Sequence, residues 1–132
     1  MAAFRVVEVT QEEHPDSLRQ ALGSDRIYAI GDTRLLGKTA IGVCGSRDAS
    51  ASALRSAYEL GRTAAKHGVV VVSGYARGVD RQAHKGVLEA GGATIAVLPE
   101  GINYFRLTKE LRPLADPYHR KAYPRVTAIT SS

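Results

Sequence analysis

Residues 69–80 read VVVVSGYARGVD, and this stretch decides the fold. Its four valines form a β-branched run without polar alternation, which is typical of a strand covered on both faces in a parallel sheet. We therefore predict a central strand over Val69–Val72. Glycines at positions 74 and 78 then predict a turn, and apolar residues at helical spacing predict a helix from about Gly78 to Ala90.

Two further apolar runs flank this stretch, and each predicts a buried strand that ends at a glycine-bearing turn. Residues 39–44 precede Gly45, and residues 93–98 precede Pro99-Glu100-Gly101. A helix with Ser50 or Ser52 as its N-cap and His67-Gly68 at its end is predicted between the first two strands. Two successive strand-helix-strand units with right-handed crossovers predict an α/β fold, a doubly wound and mostly parallel sheet with helices on both faces.

The outer segments carry weaker patterns. They predict strands over residues 4–10 and 26–31, a helix start at residues 14–17, helix-forming residues after position 104 and a fourth parallel strand over 125–130. We expect one globular unit in two parts. Residues 1–38 form an N-terminal extension packed on the sheet, and residues 39–132 form the α/β domain.

Composition and charge narrow the class of protein. The chain has 132 residues, of which 44% are hydrophobic and 23% charged, and its single cysteine cannot form an internal disulfide. No signal-peptide pattern and no apolar run long enough for a membrane span are present, so we expect a cytoplasmic protein without a membrane partner. Residues 39–132 hold thirteen Lys and Arg against seven Asp and Glu, whereas residues 1–38 hold five against six, so the net charge of +5 comes from the α/β domain.

The three turns are expected to meet in one crevice, because loops that leave the carboxyl ends of neighbouring parallel strands converge there. Backbone amides, a hydroxyl and two arginines in these turns favour an anionic ligand. The candidate phosphate-binding residues of the turns are Gly45, Ser46, Arg47, Ser73, Gly74, Arg77, Gly78 and Gly101.

The acidic and imidazole side chains near these turns do not form a catalytic pattern. Asp80 is best explained by the helix dipole, His84 by packing or capping, and Glu100 has no partner at motif spacing. Motifs for P-loop, serine-hydrolase, zinc and dinucleotide sites are absent from the sequence. We therefore expect no catalytic residue, no metal ligand and no cofactor.

Three motifs together resemble the DNA-processing protein A (DprA/Smf) family, and the resemblance spans about residues 14–103. The motifs are Gly45-Ser46-Arg47, Ser73-Gly74-x-Ala76-x-Gly78-Val79-Asp80-x-x-Ala83-His84 and Gly91-Gly92-x-Thr94-Ile95-Ala96-Val97-Leu98. The resemblance implies a Rossmann-like domain and a single-stranded DNA-binding protein rather than an enzyme. It further implies protection of incoming DNA and loading of the RecA recombinase in natural transformation.

Individual positions carry over with this resemblance. It places Ser46 and Arg47 in the family's basic DNA pocket and makes Gly74, Arg77 and Gly78 pocket-forming positions. The family commonly has an aromatic-proline-lysine segment after the third strand, where this chain reads NYFRLTK over residues 103–109. There Phe105 is the candidate for base stacking, and Arg106 or Lys109 is the candidate replacement for the lysine.

A second departure from the family pattern and one related fold keep other functions open. The family domain normally continues with further strands and an arginine-rich motif that support dimerisation, whereas this sequence ends at Ser132. The expected RecA and homodimer partners therefore depend on these further strands and this motif. LOG-type phosphoribohydrolases resemble the fold, but their Pro-Gly-Gly-x-Gly-Thr-x-x-Glu motif is not matched by Pro99-Glu100-Gly101. A nucleotide-binding or nucleotide-hydrolysing protein and an inert folded fragment remain the alternatives.

Overall fold

Six strands form one mixed sheet in the computed structural model, which describes residues 7–9, 27–98, 102, 107–115 and 125–130. The strands are β1 (Val7–Val9), β2 (Ile27–Gly31), β3 (Ala40–Val43), β4 (Val70–Gly74), β5 (Thr94–Val97) and β6 (Val126–Thr130). Their order across the sheet is β1-β2-β6-β5-β4-β3. Strands β3 to β6 are parallel, and β2 runs antiparallel to both β6 and β1.

Two long helices connect the parallel strands as the sequence predicts. Helix α1 (Ala51–Lys66) joins β3 to β4, and its N-cap Ser50 accepts a hydrogen bond from the Ala53 amide at 3.1 Å. Helix α2 (Val79–Glu89) joins β4 to β5. A short helix α3 (Arg112–Ala115) precedes β6, and a 3-10 helix (Thr33–Gly37) precedes β3.

The parallel strands and the helices that connect them confirm the predicted α/β class with a mostly parallel sheet. Each face of this sheet carries its own hydrophobic core. Val71 and Val126 pack on one face with residues from α1, α2 and α3. Val70 and Ile95 pack on the other face with Leu35 and Leu36 of the 3-10 helix. In the described residues, the three α-helices therefore share one face and the 3-10 helix covers part of the other.

Glycines let the two long helices pack backbone against backbone. A Cβ atom at Gly86 of α2 would collide with the Tyr58 carbonyl oxygen of α1, and one at Gly61 would collide with the Ala83 carbonyl oxygen. Both glycines are buried. This close approach fixes the position of α2 relative to α1.

Three details differ from the sequence-based expectation. The predicted burial of the first strand is wrong, because β3 is the last of the described strands at its end of the sheet, and Ala40, Ile41 and Gly42 are exposed. Strand β4 lies inside the sheet as predicted, but it extends to Gly74, so Ser73 belongs to the strand rather than the turn.

Part of the described N-terminal extension continues the sheet, since β2 pairs with β6 and β1 pairs with β2, while its 3-10 helix packs on one face of the sheet. The division of the chain at residue 38 stays a prediction. The helix start expected at residues 14–17 lies outside the described residues. No helix in the described ranges combines the length and the apolarity that a membrane crossing needs.

Candidate nucleic-acid interface

Two loops leave the carboxyl ends of the neighbouring parallel strands β3 and β4 and contact each other. Loop 1 comprises residues 44–50 between β3 and α1, and loop 2 comprises residues 75–78 between β4 and α2. The Val79 amide at the start of α2 donates a hydrogen bond to the Ser46 carbonyl oxygen at 3.4 Å. The structure thus brings the first two predicted turns into one surface at the carboxyl edge of the sheet.

Gly78 is the residue that allows this contact. Its φ of +88° lies in a region that side chains with a Cβ rarely adopt. An added Cβ atom would lie 2.5 Å from the Ser46 carbonyl oxygen and 2.9 Å from that of Arg47. Only glycine therefore fits both the backbone conformation and the space beneath loop 1.

Gly45 and Ser73 have structural partners within the fold. A Cβ atom at Gly45 would lie 2.8 Å from the side-chain carbons of Val79, so this glycine lets loop 1 pack on α2. The Ser73 hydroxyl donates a 2.6 Å hydrogen bond to the Val43 carbonyl oxygen, and the residue is buried. These contacts tie β3 and loop 1 to β4 and α2, whereas phosphate binding by either residue stays a prediction.

The two arginines of these loops are both exposed to solvent. Arg77 of loop 2 reaches Asp48 of loop 1, with Nη2 and Oδ1 separated by 3.3 Å. In loop 1, the Ser46 Oγ accepts a 3.0 Å hydrogen bond from the Asp48 amide, a local turn that orients the acidic residue. Asp48 was not among the residues that the motifs indicated.

The third predicted turn is described only in part. Gly101, Phe105 and Arg106 lie outside the described residues, so their proposed contacts with DNA stay predictions. Lys109 is exposed in the turn before α3, and its neighbour Glu110 forms a 2.7 Å ion pair with Lys85 of α2.

Tyr75 is a residue that the sequence reasoning missed. Its hydroxyl accepts a 2.8 Å hydrogen bond from the Thr108 amide, and the Arg81 guanidinium lies 5.3 Å from its ring centre. Its ring also contacts the His84 ring, with centroids 5.8 Å apart. Tyr75 thereby joins loop 2 to the segment that carries Lys109. Its position as an aromatic residue between two turn glycines is the sequence feature that could have indicated this role.

His84 is packed rather than exposed to a ligand, in agreement with its predicted role. The Thr94 hydroxyl donates to the Val71 carbonyl oxygen at 3.0 Å and is hydrogen-bonded to His84 Nδ1 at 2.6 Å. Burial lowers the pKa of His84 to about 4, against smaller opposing contributions from the Gly74 carbonyl and Asp80. The imidazole is therefore neutral at pH 7.

This pKa shift predicts a loss of stability in weak acid. Below pH 6.5 the unfolded chain protonates this histidine, whereas the folded chain takes up the proton only near pH 4. We expect the His84 contribution to lower the free energy of unfolding by about 2 kcal/mol from pH 7.5 to pH 5. Urea denaturation at several pH values measures it. The His84→Asn variant should lose that part of the pH dependence, and the exposed-site variant His67→Asn should keep it; equal pH dependence in all three proteins would contradict the assignment.

The sequence of the chain is similar to that of known DNA-processing proteins. The family model for DNA recombination-mediator protein A matches residues 5–122. DNA processing protein DprA of Bacillus subtilis is 29% identical over 123 residues, covering 88% of this chain and 41% of that protein. Protein Smf of Escherichia coli is 38% identical over 77 residues, covering 58% of this chain and 21% of that protein. The chain thus spans less than half the length of these curated relatives.

Solved structures share the fold. DNA processing protein A of Streptococcus pneumoniae matches with a TM-score of 0.73 and 25% identity, over 98% of this chain and 45% of that chain. The protein of the same name from Helicobacter pylori, whose single-stranded DNA binding mode was the subject of its structure, matches with a TM-score of 0.72 and 22% identity. That match covers 99% of this chain and 57% of the other.

Proposed function

Because the chain belongs to the DNA recombination-mediator protein A family, we propose that it binds single-stranded DNA across loops 1 and 2. The observation that carries this proposal is the contact between the two loops at Gly78, which holds Arg47 and Arg77 on one exposed surface. The Helicobacter pylori relative, which shares the fold, is described as binding single-stranded DNA.

The two arginines supply the phosphate contacts in this proposal. A guanidinium can donate two parallel hydrogen bonds to one phosphate, and arginines on adjacent loops can hold separate phosphates of one strand. Backbone amides of the loops and the Ser46 hydroxyl add neutral donors. Further contacts are proposed for Gly45, Ser73, Gly74, Gly78, Gly101, Phe105, Arg106 and Lys109.

The wider family role is part of the proposal and rests on membership alone. We propose that the protein protects incoming DNA and assists RecA loading during transformation or recombination in the cytoplasm, and that it forms a homodimer. We further propose an extension over residues 1–38 and a Rossmann-like domain over residues 39–132. A binding assay with purified RecA tests the first partner, and size-exclusion chromatography with light scattering tests the homodimer. Both measurements are separate from DNA binding.

Competition between DNA and a free nucleotide tests the central part of the proposal. We expect labelled oligo-dT to bind with a fluorescence anisotropy change, and millimolar AMP to leave that binding unaltered. The expected dependence on salt has a log–log slope of about −0.7 for each phosphate neutralised. Absent oligo-dT binding together with tight AMP binding would overturn the proposal in favour of a nucleotide-binding or nucleotide-hydrolysing protein.

A further inference from the structure

An acidic residue lies within the loop surface that the proposed function assigns to DNA phosphates. Asp48 belongs to loop 1, next to Arg47, and its Oδ1 lies 3.3 Å from Nη2 of Arg77. Both side chains are exposed, Arg77 by 67% and Asp48 by 87% of their surface. A negative charge at this position opposes the binding of another anion.

The loops themselves bring these two side chains together. The 3.0 Å hydrogen bond from the Asp48 amide to Ser46 Oγ shapes the turn that presents the carboxylate. The close contact between Gly78 and the Ser46 and Arg47 carbonyl oxygens sets the distance between the loops. A short aspartate side chain can therefore reach the neighbouring loop without a large loss of conformational freedom.

The partners of the two loop arginines differ. Among the ion pairs of the described residues, Arg77 has Asp48 as its partner, and Arg47 takes part in none. A carboxylate presents oxygen acceptors to a guanidinium much as a phosphate does. A phosphate that uses the Nη2 group of Arg77 therefore competes with the Asp48 carboxylate for it.

We propose that Asp48 is an internal competitor for the phosphate site on Arg77 and thereby lowers the affinity of this protein for single-stranded DNA. The inference rests on the proposed function. Exposed ion pairs contribute little free energy, so an incoming phosphate can displace the carboxylate. Once displaced, Asp48 remains near the bound strand and repels it, which favours release. Asp48 is in this way a residue that sets affinity without itself holding the ligand.

Removal of the Asp48 charge tests the inference directly. We expect Asp48→Asn to bind labelled oligo-dT about two- to fivefold more tightly, in line with the strength of an exposed ion pair. The salt dependence should steepen by about 0.7 in log–log slope, because one more uncompensated positive charge meets the phosphates. Asp48→Ser removes the carboxylate in a different way and should change affinity in the same direction.

A remote charge provides the matched control. Glu59 is exposed on α1, and Glu59→Gln removes the same charge away from the two loops. We expect this variant to leave both the affinity and the salt slope unchanged. A gain in Glu59→Gln equal to that in Asp48→Asn would overturn the inference, since net charge alone would then explain both results.

A double-mutant cycle separates the inference from the proposed function. In a background of Arg77→Ala, the Asp48→Asn change should have a clearly smaller effect than in the wild-type background, because no guanidinium is left to release and only the repulsion between Asp48 and the strand is relieved. Weakened binding in Arg77→Ala together with unchanged or weakened binding in both Asp48 variants would overturn the inference and leave DNA binding intact. Oligo-dT binding absent from wild type and from every variant overturns both.

Discussion

Simultaneous replacement of Arg47 and Arg77 by alanine is expected to weaken oligo-dT binding by about 100-fold or more. Each arginine is exposed on a loop at the carboxyl edge of the sheet, where it can form charge-assisted hydrogen bonds to a phosphate. Such bonds contribute about 1.5–3 kcal/mol each, and the loss of two at the lower value corresponds to about a hundredfold change in Kd. Fluorescence anisotropy at one fixed salt concentration measures the effect.

Two lysines at the amino ends of the parallel strands provide the control for this pair. Lys38 precedes β3 and Lys66 ends α1, and both are exposed. The variant Lys38→Ala/Lys66→Ala removes the same net charge as the loop variant. We expect its Kd to change by less than about threefold, since only long-range electrostatics is altered. Similar losses in the two variants would mean that the strand does not follow loops 1 and 2.

The Gly78→Ala variant is expected to lower the free energy of unfolding by about 3 kcal/mol and to weaken DNA binding as well. A methyl group at this position adds backbone strain at a φ of +88° and a contact of 2.5 Å with the Ser46 carbonyl oxygen. Relief of that contact requires loop 1 to move away from loop 2, which separates the two arginines. Urea denaturation gives the stability, and anisotropy gives the affinity.

Gly91→Ala is the matched control for this glycine. Gly91 has a similar φ of +84°, but an added Cβ atom there meets no heavy atom within 4 Å. We expect a loss of only about 1 kcal/mol from backbone strain and no change in DNA binding. Equal effects of the two substitutions would show that the contact with loop 1 carries no free energy.

Local sequence patterns predicted the elements whose determinants are local. The valine run at 69–72 predicted an interior strand because β-branched residues without polar alternation fit a surface buried on both sides. The sequence predicted α1 from its helical spacing and from an N-cap at Ser50 or Ser52, and Ser50 is the cap that is observed. The strand-helix-strand connections then predicted the parallel arrangement of β3 to β5.

Features that depend on contacts between distant residues were not accessible in the same way. The exposure of β3 follows from its place at the end of the sheet, which strand order determines and apolar content does not. The Ser73 hydroxyl and the Asp48 carboxylate find their partners about 30 residues away along the chain, at Val43 and Arg77. Motif reading identified the arginine but not the acid that neutralises it.

NMR chemical-shift mapping with oligo-dT tests most directly whether the strand follows the two loops. On addition of oligo-dT to ¹⁵N-labelled protein, we predict the largest amide shift changes at Ser46, Arg47, Arg77 and Gly78. Amides at the amino ends of the parallel strands, such as those of Gly68 and Gly92, should remain nearly unchanged. Shift changes concentrated at the amino ends of the strands, or confined to residues outside loops 1 and 2, would contradict the account.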